Sequence, residues 1–175
     1  VKPVFLIGLP GAGKTTLGRQ LAEQLQCPFF DLDALIEAGE TRTVTDIFKD
    51  SGEAHFRELE KKYLLQCVAA HPAFVLATGG GTPCFDHNME IMNRCGLTIF
   101  LDVPVAEIAR RLQTTEVARR PLLAAAAEGK IEQHLEDLRR QRLPFYRQAN
   151  YTVSGEAITP DNLLKTASPA LPGQS

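Results

Sequence analysis

The chain has 175 residues, 44% of them hydrophobic and 23% charged, a size for one compact unit with room for an insertion but not for a second full domain. Its 19 basic and 21 acidic side chains leave a net charge of -2, so no global field draws it to nucleic acid or an anionic membrane, and anions must be bound by local clusters. No stretch approaches the roughly 20 apolar residues of a membrane span, and no segment reads as a cleavable leader, so a cytoplasmic protein is expected.

The run Val4 to Ile7 stops at Gly8, and Leu17, Leu21 and Leu25 recur every four residues after Lys14, which predicts strand, glycine loop and helix. Pro28-Phe29-Phe30 leads into Asp31-Leu32-Asp33 as a second strand, followed by a helical start at Ala34 that ends near Gly39. From Thr45 to His71 the apolar residues have helical spacing, with Gly52 a break between two helices and Pro72 a stop. Ala73 to Ala77 is a third strand ending in Thr78 and the triplet Gly79-Gly80-Gly81. A helix from about Asp86 to Arg94, a strand from Leu97 to Val103 and a helix beginning at Pro104 follow. Thr114 to Lys130 lacks strand character and a firm helical period, as suits a mobile lid. A long helix from about Ile131 to Gln148, a strand at Tyr151 to Val153 and a helix from Pro160 to Ala167 complete a single domain over residues 1–167, with 168–175 a frayed tail. Apolar strands alternating with helices imply a parallel sheet covered on both faces, with ligands beyond the strand C-termini. The cysteines Cys27, Cys67, Cys84 and Cys95 have no metal-site spacing and read as reduced, inert thiols.

Gly8-Leu-Pro-Gly-Ala-Gly13-Lys14-Thr15 fits the pattern G-x-x-x-x-G-K-[ST] between a strand and a helix. Such glycines let successive N–H groups face an anion at a helix N-terminus. Lys14 supplies a charge for the β- and γ-phosphates, and the Thr15 hydroxyl completes a Mg²⁺ shell. No N-K-x-D guanine-reading sequence is present, nor an apolar run ending in Asp-Glu.

On the acceptor side, Asp31 and Asp33 read as alternating along an extended segment, with both side chains on one face. One carboxylate then serves the metal and the other an acceptor hydroxyl. Arg57 and Glu60 share a helix face at i,i+3, so the guanidinium can be held with its fork toward a ligand carboxylate. Gly79-Gly80-Gly81 at a strand end permits close approach of backbone to a small ligand. Eight of the twelve arginines lie between Arg110 and Arg147. Without interleaved aromatics such a cluster suits polyphosphate rather than nucleic acid, with Arg119 and Arg120 placed in the lid to close on a γ-phosphate.

In order along the chain, GLPGAGKTT, FFDLD, FRELE, ATGGGTP, RRPLL and RLPFYRQA resemble shikimate kinase, from Val4 to about Leu164. The resemblance implies a three-layer α/β P-loop kinase fold of the nucleoside-monophosphate-kinase type, with a five-stranded parallel sheet and a lid. It implies transfer of the ATP γ-phosphate to the 3-hydroxyl of shikimate, on the route to chorismate and the aromatic amino acids. By motif, Gly11, Ala12, Gly13, Lys14, Thr15 and Thr16 would hold ATP, and Thr15 and Asp31 the Mg²⁺. Asp33 would hold the shikimate hydroxyls and act as base. Arg57 and Arg142 would grip the shikimate carboxylate in a pocket lined by Gly79, Gly80 and Gly81, with Glu60 behind Arg57. Arg120 would be the lid arginine, and Arg111 and Pro160 would flank adenine. A monomer is expected. Two alternatives stay open from the sequence: another small-metabolite kinase of the fold, such as a gluconate kinase, and a nucleotide-binding module without turnover.

Overall fold

A computed structural model describes residues 2–113 and 130–167. Five parallel strands form one sheet: β1 (Val4–Ile7), β2 (Phe29–Asp31), β3 (Val75–Ala77), β4 (Leu97–Asp102) and β5 (Tyr151–Ser154), in the order β2-β3-β1-β4-β5. Side chains alternate between the faces of a strand, yet every residue of β1 and β3 is buried, so both faces of the sheet are covered. The helices are α1 (Lys14–Leu25), α2 (Leu32–Glu40), α3 (Val44–Ala70), α4 (Asn88–Cys95), α5 (Val105–Gln113), α6 (Ile131–Tyr146) and α7 (Pro160–Ala167), with a 3₁₀ turn at Thr82–Cys84. This is the α/β P-loop kinase architecture expected from the sequence.

Most elements lie within a few residues of their expected positions, and the departures have local causes. Asp31 ends β2 and also caps α2, its Oδ1 accepting from the Ala34 amide at 3.3 Å. The cap starts the helix at Leu32 rather than Ala34. Asp33 therefore sits in a first helical turn, and the expected extended alternation of Asp31 and Asp33 is corrected. The break at Gly52 is present inside α3, at φ 82 and ψ 171. Helix α6 carries Pro144 and ends at Tyr146, two residues short of the expected end. The expected lid, residues 114–130, falls outside the described residues except for Lys130, and the expected tail, 168–175, lies wholly outside them.

The register aligns the functional strand ends. Leu6 pairs with Ala77, Asp31 with Ala77, and Ile7 with Phe100. The connection after β1 runs past β3 to β2, and that after β3 runs past β1 to β4. These opposed departures open a crevice beyond the C-termini of β1 and β3.

Candidate active site

On the β1 side of the crevice, Gly8, Gly11 and Gly13 have φ of 150, 82 and 93, so the loop takes a path open to glycine. Gly13 leads directly into α1, which places the loop at that helix's N-terminus. Lys14 is buried at 6% exposure, its Nζ donating to the carbonyls of Gly8 at 2.6 Å and Leu9 at 2.9 Å. The ammonium thus lies across the loop that it would serve with phosphate bound. Thr15 Oγ1 donates to Asp31 Oδ2 at 2.6 Å, joining α1 to the end of β2 through two hard oxygens.

Beside this loop, a cleft of about 340 Å³ is lined by Gly11, Gly13, Thr16, Val103, Arg111 and Ile158, among others. Arg111 is fixed on two sides: its Nε donates to Glu107 Oε1 at 2.9 Å and its Nη2 to the Glu156 carbonyl. Hydrogen bonds from Arg110 and Arg111 hold the Glu107 carboxyl down to about 2, against an ordinary 4.5. A depressed carboxyl stabilises above its ordinary value, so these pairs persist at neutral pH and are lost only as pH falls toward 2. Pro160 begins α7 and is not among the lining residues; Ile158, two residues earlier, takes the place expected for it.

Across the crevice, Gly79, Gly80 and Gly81 are the meeting point of the acceptor residues. A Cβ on Gly79 would lie 2.8 Å from Glu60 Oε2 and 3.5 Å from Asp33 Oδ1. One on Gly80 would lie 2.7 Å from Arg142 Nη1 and 2.8 Å from Pro10 Cδ, and one on Gly81 2.6 Å from Arg57 Nη2. None of the three has a positive φ; close approach, not backbone conformation, demands glycine here. Glu60 is fully buried and accepts from Arg57 Nη1 and from the Thr82 hydroxyl. Burial pushes its carboxyl up, while Arg57, Thr82 and Arg142 hold it back. Burial works against the Arg57 cation, and the Glu60 and Glu53 carboxylates more than offset it. The second fork nitrogen of Arg57 donates to Glu53 Oε1 at 2.9 Å. Arg57 Nε and Arg142 Nη1 are buried donors without a hydrogen-bond partner among the described residues.

A family model for shikimate kinase matches residues 10–169. The chain belongs to the shikimate kinase family. A shikimate kinase of Bacteroides fragilis is 43% identical over 164 residues, covering 94% of this chain and 90% of its own. The crystal structure of shikimate kinase from Bacteroides thetaiotaomicron superposes with a TM-score of 0.87 at 38% identity, over 94% of this chain and 97% of that one. The enzyme of Acinetobacter baumannii, solved in complex with shikimate, gives a TM-score of 0.84 at 37% identity, over 94% and 89%. The activity read from the motifs is that of the family: ATP-dependent phosphorylation of shikimate at its 3-hydroxyl, with ATP and shikimate as substrates.

Among shikimate kinase residues read from the sequence, Lys14, Thr15 and Asp31 come together at the phosphate loop. Asp33, Arg57, Glu60 and Arg142 come together around the three glycines. Arg119 and Arg120 fall outside the described residues. The basic cluster is dispersed: Arg139 pairs with Asp102, Arg140 with Asp137 and Arg110 with Glu107, while only Arg142 of the α6 trio is buried. The cysteines are free, and burial pushes the thiols of Cys67 and Cys84 up to about 11. No described helix is long and apolar enough to cross a membrane. Sequence reading missed Glu53, although i,i+4 spacing from Arg57 signals it. It also missed Tyr146, buried one turn after Arg142, whose hydroxyl donates to the Gly80 carbonyl.

Proposed function

We propose that the two halves of this crevice divide the family's reaction as follows. The loop amides of Gly11 to Thr16 and the Lys14 ammonium hold the β- and γ-phosphates, and Arg111 and the turn before Pro160, which brings Ile158 to the cleft, border the adenine. Thr15 and Asp31 would hold Mg²⁺. Their oxygens lie 2.6 Å apart, and no group of three His, Cys, Asp or Glu suited to a metal occurs among the described residues. A sparse set of hard oxygens fits an ion that keeps water and phosphate in its shell. When bound, the ion neutralises charge on the β- and γ-phosphate oxygens.

Arg57 and Arg142 grip the shikimate carboxylate, with Glu60 fixing Arg57. Asp33 aims the 3-hydroxyl and takes its proton as that oxygen bonds to the γ-phosphorus. The bond from the γ-phosphorus to the β–γ bridging oxygen breaks, and ADP leaves with the electron pair. Arg120 closes from the lid at 114–130 on the transferring group. The working unit is a cytoplasmic monomer, a single domain over 1–167 with no nucleic-acid partner.

The observation that carries this reading is the glycine triplet, where Asp33, Arg57, Glu60 and Arg142 each stand within 3.5 Å of a Cβ that one of the three glycines lacks. The test is coupled ADP release with shikimate and with gluconate. Shikimate-dependent release is expected, lost in Asp33→Asn while nucleotide binding persists, and with a raised shikimate KM in Arg57→Ala. Gluconate-dependent release would make the chain a sugar-acid kinase. Release with neither substrate would leave a binding module.

A further inference from the structure

Phe85 is one of three large apolar side chains exposed among the described residues, at 37%, and nothing in the site above uses it. Its ring lies on the Arg57 guanidinium, with 4.2 Å from Arg57 Cζ to the ring centroid, against 5.4 Å for the neighbouring Phe56. At that separation the ring's π face attracts the cation, while the guanidinium N–H groups still bond carboxylates.

The backbone is arranged to keep the ring there. Phe85 follows the 3₁₀ turn in an extended conformation, and the next two residues, Asp86 and His87, have φ of 52 and 59. Residues with a Cβ avoid that region. Asn88, fully buried, fastens both ends of the segment: its side chain donates to the Thr82 carbonyl at 3.0 Å and its amide to the Phe85 carbonyl at 2.9 Å. Meanwhile Glu60 and Glu53 hold the two fork nitrogens of Arg57. The Phe85 ring adds a third contact to the same guanidinium, from an element other than the one that carries the two glutamates.

We propose that Phe85 is a positioning residue for the acceptor's carboxylate: its ring shields Arg57 from water and holds the guanidinium where it meets the acid. The inference rests on the reading of Arg57 as a carboxylate-binding group. It extends recognition of the acid to an aromatic side chain that does not itself touch the substrate's polar atoms.

The experiment compares Phe85→Ala, Phe85→Leu, Phe85→Tyr and Phe85→Trp, with Arg57→Ala alongside, at saturating ATP. Loss of the ring in the Ala and Leu variants raises the shikimate KM by about three- to tenfold with kcat and ATP KM unmoved, and the aromatic variants retain the wild-type KM. Because the chain has no tryptophan, Phe85→Trp also reports directly: its emission changes on titration with shikimate without nucleotide. A wild-type KM in the Leu variant, or a fall in kcat alone in the Ala variant, overturns the proposal. A raised KM in Arg57→Ala beside an unchanged one in Phe85→Ala refutes the role of Phe85 and leaves that of Arg57 standing. An unchanged KM in both refutes the carboxylate reading and the proposal with it.

Discussion

A methyl group added at Gly81 would stand 2.6 Å from Arg57 Nη2 and 2.7 Å from Nη1. The atoms it meets are the far end of a long side chain, which can move, so the substitution displaces a ligand-binding group rather than the backbone. Gly81→Ala is therefore expected to raise the shikimate KM by roughly tenfold or more, the loss of about one hydrogen bond to a charged group, and to lower the melting temperature as well, because the displaced guanidinium leaves the buried Glu60 carboxylate. Steady-state kinetics beside a thermal melt check this. A large fall in stability with an unchanged KM would mean that the triplet is a structural turn and not a wall of the pocket. Gly80 differs, because its added Cβ would meet Pro10 Cδ at 2.8 Å as well as Arg142, and a proline ring cannot yield as a side-chain end does.

At the scale of an element, α3 is two helical segments joined at Gly52. The first carries Phe48 and the second Glu53, Phe56, Arg57 and Glu60, with the rings of Phe48 and Phe56 4.6 Å apart across the break. A Cβ on Gly52 would touch nothing within 4 Å, but φ 82 is a left-handed conformation. Gly52→Ala should cost about 1–2 kcal/mol from the backbone alone. At about 2–4 °C per kcal/mol for a chain of this size, the melting temperature falls by roughly 2–8 °C. The shikimate KM rises with it, since the bend sets the direction of the segment bearing Arg57, and the ATP KM stays put; calorimetry and kinetics would show a straightened helix as unchanged on both counts if the bend were incidental. The break was legible because a glycine interrupts an otherwise helical spacing of apolar residues. The placing of Asp33 was not, because D-x-D suits an extended strand end and a capped first turn equally well, and only the hydrogen bond from the Ala34 amide to Asp31 decides between them. Phe85 carried no signal at all, since its partner lies on a different element and no periodicity links them.

Over the whole molecule, the order β2-β3-β1-β4-β5 explains why residues from separate stretches of sequence serve one crevice. Parallel strands in register bring Gly8, Asp31 and Thr78 to one edge. The phosphate loop, whose spacing is itself the signal, could be read from the chain alone, and the meeting of Asp33, Arg57 and Arg142 required the sheet. The two pockets use different charges, Lys14 on one side and Arg57 with Arg142 on the other, so they should load separately. A ligand at about 100 times its Kd adds about 2.7 kcal/mol to stability, or roughly 5–10 °C here. Shikimate and a nonhydrolysable ATP analogue are each expected to raise the melting temperature of the wild-type chain by that order. Arg57→Ala should lose the shikimate shift and keep the nucleotide shift, and Lys14→Ala should do the reverse, as read by scanning fluorimetry with a dye. If either substitution removed both shifts, the crevice would be a single cooperative site, and separate assignment of its two walls would fail.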